Sequence, residues 1–452
     1  MRNRRLSYFN AGALSYSLRA MSNPRERGND GRPHASRRPA GAAEIFATAV
    51  RLEAAGKLPE AEALYRQILA QDPNHAASIA RLGGMATKSG RGEIAISLLA
   101  NAIRLHPNEP LFRFDLGNAL LQARRAEDAA MAYRQALALK PDLDEAHHNL
   151  GLALCVLGDL DGAFASIRTG AALRSRAGRA GPPSTPYKLQ HDREQLEYLI
   201  ASGLVDADNF GAWRQRSPRR FDEAFGALSN IEGGNRLAGP AINPATDAAH
   251  LQRQWMENRP QLVVIDDLLT QDALSELRRY CLGSTIWGRT YEGGYLGALP
   301  EGGFASPLLA QIASELRERY PAIVGDNKLT EWWAFKYDSQ RKGINLHADF
   351  AAVNVNFWIT ENDANLDAES GGLVVWDFAA PLDWDFATYN QNEAAARAFL
   401  AEAGAKRITI PYRANRAVIF DSDLFHETDQ FRFKGGYQNR RINITLLYGW
   451  RG

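Results

Sequence analysis

The chain has 452 residues, 45% of them hydrophobic and 23% charged, with a net charge of +1. These values exclude a wholly disordered chain and, at roughly 100–200 residues per domain, allow two to four domains. No apolar run nears the ~18 residues that span a bilayer, which excludes a membrane-spanning helix, and the two cysteines, Cys155 and Cys281, exclude a disulfide framework and point to a reducing, cytoplasmic compartment.

Residues 1–42 carry nine Arg against Glu26 and Asp30. A Pro-, Gly-, Ser- and Arg-rich stretch this poor in aliphatics predicts a disordered basic tail over 1–41. A basic arm for nucleic acid, an organelle-targeting segment and an extension ahead of a start at Met21 are other readings, and a solvated tail is the simplest. The remainder of the chain is net negative.

An internal repeat follows. Pro73, Pro107 and Pro141 are 34 residues apart, as are Gly83, Gly117 and Gly151. Ala61, Ala95, Ala129 and Ala163 keep the period, and so do Tyr65, Leu99, Tyr133 and Ile167. The units fall at 42–75, 76–109, 110–143 and 144–177. The Gly83-type and Ala61-type positions let the two helices of a unit approach closely. The large residue four after each alanine is expected to fill the gap between neighbouring units. The proline ends the second helix, because it has no backbone donor and restricts its predecessor. Gly56, Gly90 and Gly158 stand where the first helix must turn, with Arg124 in that place in the third unit. Cys155 reads as a small core residue. This pattern resembles the tetratricopeptide repeat, a superhelix of stacked helix–turn–helix units. The resemblance implies a concave groove for a protein or peptide partner. The alternative is an array that dimerises the chain or packs against the rest of it.

Residues 178–260 read as a linker and helical connector. Gly178–Pro186 is a linker by composition. His191–Ile200 predicts a helix with Leu196, Leu199 and Ile200 on one face. His191 and Asp192 are metal-ligand types, but a polar helix N-terminus accounts for them better.

From Gln261 the pattern turns β-rich. Leu262–Ile265 predicts a strand and Thr270 caps a helix over Gln271–Tyr280. Alternating runs at 353–359, 372–376, 407–410, 417–420 and 441–447 predict a sandwich or barrel. His347 and Asp349, two apart on a strand, project from one face. With His426 they make the two-histidine, one-carboxylate set that binds non-haem Fe(II) and leaves coordination positions open. Arg441, Asn443 and Thr445 share one strand face, with Ile442, Ile444 and Leu446 on the other. An Arg beside such a triad offers a bidentate clamp for a carboxylate. Arg440 is the other candidate clamp, but parity puts it on the apolar face. Asn354, Asn356 and Trp358 share a face, where Asn356 either contacts a cosubstrate or satisfies a polar interior. Trp332, Trp333, Tyr291 and Tyr295 line a substrate pocket or belong to the core. Glu369–Gly372 predicts a turn. The stretch 377–406, helical around 390–403, reads as an insertion: a lid or a surface decoration.

Residues 261–452 thus resemble a 2-oxoglutarate- and Fe(II)-dependent dioxygenase of the prolyl-4-hydroxylase-like superfamily. The shared features are the opening VVIDDLLTQDALSELRRYC, the segment YDSQRKGINLHAD and the closing Arg-x-Asn-x-Thr. The closing motif is closer to the branch that dealkylates nucleic-acid bases. The resemblance implies an α+β multidomain chain: a tetratricopeptide superhelix followed by a double-stranded β-helix, or jelly roll, with flanking helices. It implies that His347, Asp349 and His426 bind Fe(II) and that Arg441 pairs with the distal carboxylate of 2-oxoglutarate. Tyr337, Asn443 and Thr445 would complete the cosubstrate site. Dioxygen would be consumed, and a substrate recruited by the repeats hydroxylated. The alternatives are an interaction scaffold whose barrel is structural or senses cosubstrate, and nucleic-acid-base dealkylation, which the net-negative body disfavours.

Overall fold

The computed structural model describes residues 41–177, 185–205, 230–338 and 343–451. The expected basic tail, save its last residue, and most of the linker Gly178–Pro186 lie outside them. The chain forms two compact units, 1–153 and 154–452.

In the first unit the described elements are helices. They are α1 (Ala42–Ala54), α2 (Leu58–Gln71), α3 (Ala76–Lys88), α4 (Gly92–Leu105), α5 (Pro110–Gln122), α6 (Ala126–Leu139) and the start of α7 (Asp144–Leu157). The first helix of each unit therefore recurs at the sequence period. A Cβ added to Gly83 would lie 2.7 Å from Leu99 Cγ, and one added to Gly117 would lie 2.5 Å from the Tyr133 ring. Both contacts fall inside one repeat. The large residue thus fills the cleft between the helices of its own unit, which corrects the expectation that it bridges neighbouring units. Tyr65 does the same and donates to Glu53 Oε2 at 3.0 Å.

The turn after the first helix requires positive φ in every repeat: 76° at Gly56, 74° at Gly90, 62° at Arg124 and 87° at Gly158. Arg124 alone carries a Cβ there, which costs about 1–2 kcal/mol in the left-handed region. Arg124→Gly is expected to raise stability by up to about 1 kcal/mol, the relief less glycine's entropy. Thermal denaturation measures it, and a lower midpoint contradicts the account.

The second unit begins inside α7 and takes in α8 (Leu160–Arg176), the second helix of the fourth repeat. Phe164 of α8 stacks on Trp332, with centroids 4.5 Å apart and planes 13° from parallel. Trp332 is therefore core, its Nε1 donating to Phe304 O at 2.7 Å. There follow α9 (Pro186–Ala201), α10 (Ala248–Glu257), β1 (Leu262–Ile265), α11 (Gln271–Gly283), β2 (Arg289–Thr290), β3 (Tyr295–Ala298), α12 (Pro307–Arg319), α13 (Pro321–Val324), β4 (Leu329–Tyr337), β5 (Val353–Trp358), β6 (Leu373–Ala379), α14 (Phe386–Gln391), α15 (Glu393–Glu402), β7 (Arg407–Ile410), β8 (Ala417–Asp421), β9 (Leu424–Thr428) and β10 (Arg441–Tyr448).

The strands form two antiparallel sheets, one ordered β1-β8-β5-β10-β4-β3-β2 and the other β7-β6-β9. Trp358, Val418 and Phe420 from the larger sheet meet Leu373, Val375 and Leu424 from the smaller in a shared apolar core. Strands β2, β3, β4 and β9 had no strand reading in the sequence. In β4 most residues on both faces are buried, so it lacks the two-residue alternation of a half-exposed strand. The reason is helical cover on its outer face.

Part of that cover is α9, whose buried face overturns the sequence reading. Tyr187, Lys188, His191, Asp192, Gln195 and Leu199 are the buried residues, most of them polar. Lys188 bonds the Asp192 carboxylate at 2.5 Å, Gln195 donates to Leu282 O and Ser284 O, and Glu194 accepts from Arg440 at 2.8 Å. His191 and Asp192 are thus members of a buried polar cluster, not an exposed helix start. Asp192 is pushed up to about 6, by burial against the opposing pull of Lys188.

Lys336 of β4 reaches the same cluster, fully buried. Its Nζ lies 3.4 Å from His191 Nε2 and 3.7 Å from the Tyr437 ring centroid. Burial, aided by Arg440, drives its pKa well below the usual lysine value. Between the lowered folded value and about 10.4, the unfolded lysine value, the unfolded chain holds more of this proton than the folded chain, so stability rises with pH there. Lys336→Met is expected to remove this component of the slope, up to about 1.4 kcal/mol per pH unit. Denaturant titrations at several pH values would show it, and an unchanged slope would rule it out.

Among the described residues no helix is long and apolar enough to cross a membrane. Cys155 and Cys281 are free and buried, and burial pushes both thiols up, Cys281 to about 12.

Candidate metal centre

His347 and Asp349 lie on an extended segment, not on the regular strand the sequence suggested. Backbone pairing with β9 holds it: His347 N–H donates to His426 O at 3.0 Å, His426 N–H to His347 O at 2.8 Å and Thr428 N–H to Ile344 O at 3.1 Å. This pairing places the two imidazoles side by side, with ring centroids 4.3 Å apart. Alternation then puts Leu346 and Ala348 on the opposite face. There they pack with Tyr389, Ala396, Leu400 and Phe425. Tyr389 and Asn390 also bond the segment's backbone, Ala348 N–H to Tyr389 O at 3.0 Å and Asn390 Nδ2 to Ala348 O at 2.8 Å. The 377–406 insertion therefore buttresses the His347–Asp349 segment from behind, and is neither a surface decoration nor a lid over the triad.

Ligand atoms of His347, Asp349 and His426 lie within 4.8 Å of one another. His347 Nδ1 bonds Asn345 O at 2.8 Å and His426 Nδ1 bonds Leu424 O at 3.0 Å. A carbonyl only accepts, so each Nδ1 carries the proton and each Nε2 keeps its lone pair for the centre. Those Nε2 atoms lie 3.7 and 3.4 Å from the Asp349 oxygens. Burial, with His426 beside it, pushes His347 down to about 4. Burial alone would raise Asp349, but the adjacent His426 and His347 and the Asn354 hydrogen bond hold it below the usual carboxylate value. A neutral imidazole at His347 and an ionised carboxylate at Asp349 are states a divalent cation requires.

The cleft beside the triad holds about 20 Å³ of open space. Its walls include Asn354, Asn356, Arg441, Asn443 and Thr445 as well as His347, Asp349 and His426. The registers explain the gathering. On β10, Asn443 faces Trp358 and Thr445 faces Asn356 of β5, while Arg441 faces Tyr337 of β4. Asn356 Nδ2 donates to Thr445 Oγ1 at 3.0 Å.

Arg441 is 2% exposed. Its Nε donates to Gly371 O at 2.7 Å, one terminal nitrogen to Gly372 O at 3.1 Å and the other reaches Asn443 Oδ1 at 3.4 Å. These acceptors are all neutral. Each terminal nitrogen retains one further N–H, the fork that a carboxylate takes. Burial pulls the guanidinium below its usual value. Arg440, on the outer face, belongs to the α9 cluster, so strand parity separates the two arginines as the sequence indicated. The Glu369–Gly372 turn supplies both carbonyls. A Cβ at Gly372 would meet Ile410 O at 1.9 Å, so the turn seats Arg441 only with glycine there.

Tyr337 is not on the cleft wall. It sits behind Arg441, its ring 5.1 Å from the guanidinium carbon, with Arg441 and Thr428 around its hydroxyl, which burial pushes up to about 12. Of the other aromatic candidates, Trp333 reaches the cleft. Tyr291 and Tyr295 stack on each other at 4.6 Å, and Tyr295 stacks on Tyr337 at 5.0 Å. Ile344, Leu373 and Thr428 line the cleft unforeseen. Thr428 stands two residues after His426 on β9, a spacing that already placed it on the same face.

Tetratricopeptide repeat models match residues 52–113, 86–144 and 114–177. The N-terminal region is a tetratricopeptide-repeat array. No curated protein matches the chain. Among solved structures, MamA from Desulfovibrio magneticus RS-1 is 20% identical over 30% of this chain and 77% of that one, with a TM-score of 0.28. The Thermobaculum terrenum O-GlcNAc transferase is 26% identical over 32% of this chain and 28% of its own, with a TM-score of 0.29.

Proposed function

We propose that the C-terminal unit is an Fe(II)- and 2-oxoglutarate-dependent oxygenase that hydroxylates a protein or peptide recruited by the repeat array. The observation that carries this reading is a buried guanidinium whose hydrogen bonds, among the described residues, all go to neutral acceptors, in the same cleft wall as a His–Asp–His triad. Asp429 attracts it without bonding it, and a dicarboxylate cosubstrate would give it a bonded counter-charge.

Strand pairing supports a double-stranded β-helix. Take β4, the 343–349 segment, β5, β6, β7, β8, β9 and β10 as the first to eighth strands. The first then pairs with the eighth (β4 with β10), the third with the sixth (β5 with β8) and the fourth with the fifth (β6 with β7). The second meets the seventh at the His347–His426 bridge. That is one long hairpin wound on itself.

The residues fit the metal by donor type: two free imidazole Nε2 atoms and a carboxylate. His347, Asp349 and His426 would hold Fe(II), which with a 2-oxo acid supplies dioxygen activation and oxygen insertion into a C–H bond. Arg441 would grip the distal carboxylate, with Thr445 and Asn443 bonding beside it. Asn356 lies next to Thr445 and would orient cosubstrate or substrate. Tyr337 would hold Arg441 in place from behind. A reducing cytoplasmic compartment suits Fe(II).

The test is succinate formation by the purified chain given Fe(II), dioxygen and 2-oxoglutarate, with panels of peptides, amino acids and nucleic acids. Succinate that appears with the parent chain and vanishes in His347→Ala is expected. No succinate under any of these conditions overturns the reading. The repeat array favours a second reading, a protein-interaction scaffold whose barrel senses cosubstrate without turnover. Partner binding and biological output that survive His347→Ala/Asp349→Ala would favour that one. Turnover of nucleic acids alone would favour base dealkylation.

A further inference from the structure

Asn354 sits near the middle of the larger sheet, fully buried. Its partners across the sheet are apolar, Leu447 on β10 and Phe420 on β8. Its side chain nonetheless takes part in the wall of the polar cleft. The side-chain Nδ2 donates to Asp349 Oδ2 at 2.8 Å. Because a carboxylate only accepts, this bond fixes which end of the amide is nitrogen. The other end, Oδ1, is buried with no hydrogen-bond partner. Among the described residues the amide thus makes one side-chain bond, to a triad carboxylate, and bonds no other strand or loop through its side chain.

Backbone holds the rest of the triad. Each histidine is oriented by a carbonyl on its own strand segment, and Asp349 N–H donates to Ser422 O at 3.0 Å. Among the described residues, the hydrogen bond that reaches the carboxylate itself comes from Asn354. It occupies Oδ2 and leaves Oδ1 open, so that Asp349 meets the centre in one orientation.

We propose that Asn354 is a positioning residue that tunes the metal affinity of the His347–Asp349–His426 centre by holding the Asp349 carboxylate. This rests on the oxygenase reading only in taking the triad for a metal site. A direct prediction follows for the metal alone. Partners of this kind, one bond removed from the ligands, alter metal affinity about 10–100-fold.

The experiment is an anaerobic Co(II) titration of the full chain, followed by the visible absorption of the bound ion, in the parent, Asn354→Leu and Asn354→Ala. Thermal midpoints of the metal-free proteins are measured alongside. Leu keeps the volume and removes both the donor and the unpaired acceptor, so its metal-free midpoint is expected to match or exceed the parent's. Its Co(II) dissociation constant is expected to rise about 10–100-fold. The Ala variant is expected to weaken Co(II) similarly and guards against a Leu variant that packs poorly. Co(II) affinity equal to the parent's in either folded variant overturns the role of Asn354 and leaves the oxygenase reading standing. Failure of both variants to fold makes the amide structural and also overturns it. A parent chain that takes up no Co(II) overturns the triad as a metal site, and both readings with it.

Discussion

His426→Ala is expected to abolish metal-dependent turnover of 2-oxoglutarate and to remove specific metal uptake. The imidazole serves twice. Its Nε2 would be one of the three ligand atoms, and its residue carries the bridge that aligns His347. Alanine keeps the backbone bridge, so β9 stays paired and the loss is confined to the ligand. The fall in affinity must exceed the roughly 10–100-fold that follows removal of an outer partner. His347→Ala should match it, since His347 supplies the second imidazole of the same centre. Calorimetric titration with Mn(II) or Co(II) checks both, and affinity within tenfold of the parent contradicts the assignment.

Arg441→Leu is expected to raise the KM for 2-oxoglutarate about 10–100-fold while metal binding stays close to the parent's. A hydrogen bond to a charged group contributes about 1.5–3 kcal/mol, so the loss of even one gives a change of about 10–100-fold. Leucine also leaves Gly371 O and Gly372 O without their donor, so some stability is lost with the affinity. Arg441→Lys separates these effects. It keeps the charge and loses the planar fork, so binding weakens by about tenfold or more through geometry alone. If 2-oxoglutarate binds equally well to Arg441→Leu, the clamp lies elsewhere. The same change in Arg440 would instead disturb α9 through Glu194 and Tyr187, and would show as instability without a KM effect.

Some of this was legible in the sequence, for physical reasons. The 34-residue period survives because each repeat packs the same small residue against the same large one, Gly117 against Tyr133 as Gly83 against Leu99. The strand parity that separates Arg441 from Arg440 is geometric, so it could be read without a structure. The His-x-Asp pair was visible as a spacing, but not the bridge to His426, because a single cross-strand contact leaves no periodic trace. The polar face of α9 misled, since a residue string shows that Lys188, His191 and Asp192 are polar but not that Lys336 and Arg440 wait across an interface. Strand β4 was hidden by its own burial: with both faces covered, its apolar and aromatic residues stop alternating. The insertion was seen as helical, yet its purpose depended on which side of the His347 segment Tyr389 and Leu400 would reach.

The central claim is that one cleft holds both a metal centre and a carboxylate clamp. An anaerobic titration of the Fe(II)-loaded full chain with 2-oxoglutarate tests this most directly, because a 2-oxo acid chelated to Fe(II) gives a visible charge-transfer absorption. The account predicts that this absorption appears in the parent and saturates at one equivalent. It should need much more 2-oxoglutarate in Arg441→Leu and be absent in His426→Ala. A parent chain that binds Fe(II) elsewhere, or binds it at the triad with no response to 2-oxoglutarate, would contradict the account.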